Sequence, residues 1–156
     1  KADEEFEAFL LELLSDFQVS IPELGTVRAV HRPVVILTSN RVRELSEALK
    51  RRCLHLYIDF PGVELEDKII GLKVANLDEN LRRQVARFVN NLRKLEVKKA
   101  PSIAETLDWA RALLALGVKE LNTQAVKRSL NLLLKHEEDI RLAEGRLGDF
   151  LRGPSA

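Results

Sequence analysis

The sequence predicts a short α/β segment followed by an all-α bundle, and three observations predict it. The run Val34-Val35-Ile36-Leu37-Thr38 is β-branched and apolar on both alternating positions, as expected of a strand buried on both faces of a mostly parallel sheet. A short helical pattern and a second strand-like run over residues 54–60 follow it, and strand, helix, strand in that order is a crossover unit of the α/β class. From Val63 onward no strand-like run recurs, and every apolar stripe has helical period.

The elements follow in order. Phe6, Phe9, Leu10, Leu13, Leu14 and Phe17 recur at intervals of three and four, and acidic residues crowd the start where a helix dipole favours them, so residues 3–17 read as an amphipathic helix. Gln18-Val19-Ser20-Ile21 and Thr26-Val27-Arg28-Ala29 flank Pro22-Glu23-Leu24-Gly25 and read as a hairpin. After the strand at residues 34–38, Val42, Leu45 and Leu49 mark one side of a short helix. It ends in Lys50-Arg51-Arg52, basic residues suited to the negative end of its dipole. A strand over residues 54–60 is closed by Pro61-Gly62, the expected joint between the two parts.

Four stripes then predict the bundle. Leu65, Ile69 and Leu72 make the first; Leu81, Val85, Phe88, Val89, Leu92 and Leu95 the second. Ile103, Leu107, Ala110 and Leu114 make the third, and Val126, Leu130, Leu133 and Leu134 the fourth. The expected organisation is a partial α/β core over residues 1–61, a helical subdomain over 62–144 and a flexible tail over 145–156, which is rich in glycine. Two sheet strands and a hairpin are too few for a doubly wound sheet, so further strands are expected from upstream or from another chain. A chain that starts at Lys1 and has no methionine is expected to be a portion of a longer polypeptide.

Composition limits what such a chain can do. With 156 residues and 46% apolar content it can build a buried core. Lys plus Arg number 25 against 24 Asp plus Glu, and a formal charge of +1 offers no global field for nucleic acid or an anionic membrane. The basic string Arg93-Lys94 to Lys98-Lys99 has no interleaved aromatics, so nucleic acid is disfavoured. One cysteine, Cys53, excludes an internal disulfide framework and points to a reducing, cytoplasmic setting. No apolar run approaches the ~20 residues that cross a bilayer.

Few polar residues suggest chemistry. Asn40 follows the strand at residues 34–38, and in open α/β sheets ligands bind at the carboxyl ends of strands. An amide there either orients a water beside a phosphate or caps the next helix, the commoner role. Arg51 and Arg52 either neutralise phosphoryl charge through their planar forks or compensate a helix dipole. Asp3, Glu4, Glu5 and Glu7 are expected to serve the first helix's dipole and face solvent, with no metal. His31, His55 and His136 lack metal-ligand spacing, and Trp109 is expected to pack.

In order along the chain, Lys1-Ala2-Asp3-Glu4-Glu5-Phe6, Pro22-Glu23-Leu24-Gly25, Val35-Ile36-Leu37-Thr38-Ser39-Asn40, Arg43-Glu44-Leu45-Ser46-Glu47-Ala48-Leu49-Lys50-Arg51-Arg52-Cys53 and Ile58-Asp59-Phe60-Pro61 resemble AAA+ ATPases of the MoxR type. The resemblance runs to about Leu142. It implies the second half of a P-loop NTPase core followed by a helical lid, with the carboxylates that manage magnesium and water lying upstream. No G-x-x-x-x-G-K-[ST] phosphate loop occurs here, so these residues alone are expected to be inactive.

By the same resemblance Asn40 matches sensor 1. Arg52 matches the trans-acting arginine finger, with Arg51 as the fallback, and the hairpin matches the pre-sensor insertion. Where relatives carry the sensor 2 arginine this chain has Ile103, and Arg111 is a remote substitute. The resemblance further implies ATP and Mg as cofactors, a hexameric ring, and chaperone-like remodelling beside a protein with a von Willebrand factor A domain. The alternative is a non-enzymatic interaction module.

Overall fold

A computed structural model describes residues 4–39 and 45–152. The chain divides between Ile58 and Asp59 into two compact units.

The first unit opens with α1, Glu4–Asp16. Phe17 ends it: its N–H still bonds to the Leu13 carbonyl at 3.1 Å, but its φ of 51° is left-handed and turns the chain back. β1, Gln18–Ile21, and β2, Gly25–Arg28, pair antiparallel with Gln18 opposite Arg28 and Ile21 opposite Gly25. Gly25 takes a φ of 76° at the tip, a conformation that a side chain would oppose. Glu12 of α1 ties the hairpin down, accepting from the Ser20 hydroxyl at 2.7 Å and the Ser20 N–H at 3.1 Å.

α2 covers only Glu47–Lys50, with Ser46 as its cap and Leu49 buried. Val42 and Arg43, expected in this helix, lie outside the described residues.

The two strands expected at residues 34–38 and 54–60 are not formed, since residues 32–39 and 54–62 belong to no helix or strand. Val34 is 92% exposed, and Ile36, Leu54, Leu56 and Ile58 are exposed as well. The cause is physical: a strand persists only when a neighbour accepts and donates its backbone hydrogen bonds, and no described segment does so here.

The second unit is helical: α3 Val63–Lys73, α4 Glu79–Leu92, α5 Ile103–Ala115, α6 Thr123–Ser129 with a 3-10 turn at Leu130–Leu132, α7 Glu137–Glu144 and α8 Leu147–Leu151. Side chains start three of them. Asp78 accepts from the N–H groups of Asn80 and Leu81, Asn122 accepts from Ala125, and Ser102 with Glu105 forms a reciprocal capping box. The core gathers on Trp109, whose ring centroid lies 5.2 Å from that of Phe88, with Phe150 meeting Phe88 edge-on at 5.7 Å. The Trp109 indole N–H donates to Ser129 Oγ at 2.8 Å, so its one polar atom is satisfied in the interior.

Three expectations change here. Residues 145–152 are not a loose tail, because α8 buries Leu147 and places Phe150 on the core. On α5 the buried stripe is Thr106, Trp109, Ala110 and Leu113, which leaves Leu114 exposed. On α3 the faces are exchanged: Leu65 and Leu72 are 55% and 83% exposed, while Glu66 is 0% exposed beside Ile70.

Glu66 is inside because its charge is matched. Its carboxylate receives Arg93 Nη1 at 2.6 Å and Nη2 at 2.7 Å, and Thr106 Oγ1 at 3.0 Å. Arg93 also donates from Nε to the Pro101 carbonyl at 2.9 Å and lies 4.5 Å from the Phe60 ring centroid. One ion pair therefore joins α3, α4 and α5 to the segment that leads into them. Because Phe60 and Pro61 are gathered onto this unit, the joint falls before Asp59 and not at Pro61-Gly62.

Candidate functional site

α1 positions the basic end of α2 in the first unit. Leu10 and Leu49, apolar residues of the two helices, are both buried. At the start of α2 the Ser46 N–H donates to Glu7 Oε2 at 3.4 Å. At its end Arg52 Nε donates to Ser15 Oγ at 2.7 Å, and Arg52 Nη1 donates back to the Ala48 carbonyl at 2.8 Å. Glu7 and Ser15 are eight residues apart, about two helical turns, so α1 acts as a splint along the full length of α2.

The predicted residues fare differently. Asn40 lies outside the described residues. Arg51 and Arg52 are both exposed. Arg52 is tethered as above, whereas the Arg51 guanidinium makes no hydrogen bond or ion pair among the described residues. In the second unit Ile103 is half-buried at the first turn of α5, and Arg111 is exposed and paired with Asp108 at 2.8 Å. The basic string is partly neutralised, since Lys98 pairs with Glu138 and Lys99 with Glu105, while Arg93 is taken up by Glu66.

Sequence reasoning missed Glu7 and Ser15. Glu7 was expected to face solvent with its acidic neighbours and is instead buried. A signal existed: Glu7 precedes Leu10 by three residues and shares its helix face. For Ser15 there was none, because its partner is 37 residues away.

Local charge is arranged by hydrogen bonding. The Ser20 hydroxyl and N–H hold the Glu12 carboxyl below its ordinary value, and Lys50, 2.8 Å from Glu47, does the same there. Neither group lies in an enclosed site.

These residues do not fit a complete Mg-ATP site. Among the described residues no group of three His, Cys, Asp or Glu is placed so that it could hold a metal ion, and the sequence has no phosphate loop. What does fit an anionic phosphate is a guanidinium fork: the Arg52 Nη2 hydrogens make no hydrogen bond among the described residues, and the Arg51 guanidinium makes none either. Among the described residues no helix is long and apolar enough to cross a membrane.

Comparison of the chain with protein-family models, with curated proteins and with solved structures gives no match.

Proposed function

We propose that this chain is the second half of a MoxR-like AAA+ ATPase core together with its helical lid, acting in the cytoplasm. The full-length polypeptide would couple ATP hydrolysis in an oligomeric ring to remodelling of a partner complex. The ordered set of motifs from Lys1 to Pro61 carries this reading. The exposed apolar segments at residues 32–39 and 54–62 support it, because they have strand composition and lack the neighbours a full sheet would supply. Arg52 would serve a nucleotide bound mainly by the adjacent subunit, Asn40 would place the attacking water in its own subunit's site, and Mg would be held by residues upstream.

The test is Arg52→Ala in the full-length polypeptide. An arginine finger contributes about 10³ to 10⁵ in rate, so hydrolysis should fall steeply with the ring intact. Wild-type turnover by that variant would remove the assignment.

A second reading is favoured by the same exposed segments: a non-enzymatic module that docks through them by strand addition. The residues preceding Lys1 decide between the two. An acidic strand and an earlier glycine-lysine loop belong to the ATPase, and their absence to the module.

A further inference from the structure

The guanidinium of Arg52 is held by two bonds, Nε to Ser15 Oγ at 2.7 Å and Nη1 to the Ala48 carbonyl at 2.8 Å, while neighbouring Arg51 is held by none among the described residues. A guanidinium carries five N–H donors in one rigid plane, so fixing Nε and Nη1 fixes where the Nη2 donors lie. A free arginine on a surface samples many rotamers and loses that freedom on binding an anion. Arg52 has already given up part of it.

We propose that Ser15 is a positioning residue for Arg52, presetting its Nη2 edge to meet a phosphoryl group presented by a neighbouring subunit. This rests on the ATPase reading above, and it chooses Arg52 over Arg51 on geometry. The splint gives Ser15 a firm base: α1 also holds the start of α2 through Glu7 and Ser46, and Leu49 is buried between the two ends. The serine is suited to the task because it accepts a hydrogen bond without neutralising the cation. A carboxylate in its place would hold the fork more tightly, but it would compete with the phosphate for it.

The expected series follows from that chemistry. Loss of one orienting hydrogen bond corresponds to a factor of about 3–10 in rate. In the full-length polypeptide Ser15→Thr should hydrolyse ATP like wild type, Ser15→Ala should lose about three- to tenfold in kcat with KM little changed, and Ser15→Asp should lose more. In the 156-residue chain, hydrogen exchange at the Arg52 Nε–H, followed by NMR, should be about three- to tenfold faster in Ser15→Ala than in wild type or Ser15→Thr.

Several results overturn the proposal. If Arg52→Ala costs activity but Ser15→Ala does not, Ser15 has no positioning role and the ATPase reading stands. If Arg52→Ala itself is silent, the ATPase assignment of Arg52 falls and the positioning role falls with it. If Ser15→Ala unfolds the first unit, if Ser15→Asp is as active as wild type, or if Nε–H exchange is unchanged, Ser15 is structural only.

Discussion

Removing Arg93 should strongly destabilise the helical unit. Arg93→Ala deletes two donors to Glu66 at 2.6 and 2.7 Å and the bond to the Pro101 carbonyl at 2.9 Å, and it takes away the cation stacked on Phe60. Among the described residues the Glu66 carboxylate, 0% exposed, then keeps only the Thr106 hydroxyl. Breaking a buried pair from one side costs about 3–5 kcal/mol, because a charge is left without compensation. With a urea m-value of about 1.5 kcal/mol/M, the midpoint should fall by about 2–3 M. The chain has one tryptophan, Trp109, buried in this unit, so its fluorescence follows the helical unit selectively. Replacing both Glu66 and Arg93 by Met should be less harmful than Arg93→Ala, since no unpaired charge remains. A loss below about 1 kcal/mol for Arg93→Ala would refute the view that this pair organises α3, α4 and α5.

Two further changes test the same unit. Burial acts to raise the Glu105 carboxyl, but the Ser102 N–H, Lys99 and the Ser102 hydroxyl outweigh it and hold it below its ordinary value. A lowered carboxyl stabilises the fold above its unfolded value and loses that contribution as pH falls through the folded one, so stability should decline below about pH 4.3. Glu105→Gln should flatten that acid limb in urea titrations followed at Trp109; an unchanged limb would assign it to other carboxylates. Ser129→Ala should cost about 1–3 kcal/mol by leaving the buried Trp109 indole N–H without its 2.8 Å partner, and equal midpoints for variant and wild type would contradict this.

Much of the local structure was legible in the residues. The spacing of Leu81, Val85, Phe88, Val89 and Leu92 marks the buried face of α4, whose six buried residues include all five. The Pro22 to Gly25 turn sits where β1 and β2 reverse. These features depend on residues within a few positions of one another. Arg51 and Arg52 were harder to tell apart, because composition and spacing do not separate them, only the resemblance ranked Arg52 first, and the contact that distinguishes them in the structure comes from Ser15 on another helix.

The sequence by itself determined the apolar face of α4, the turn that reverses the hairpin and which segments have strand composition, because periodicity and turn chemistry are properties of near neighbours. Tertiary structure alone decided that α3 buries Glu66 and exposes Leu65 and Leu72, since the carboxylate's partners are Arg93, which caps the end of α4, and Thr106 of α5. It also decided that residues 32–39 and 54–62 remain outside any sheet. Burying a charge, or pairing a strand that is not part of a hairpin, requires partners distant in sequence, and hydrophobic periodicity carries no record of them.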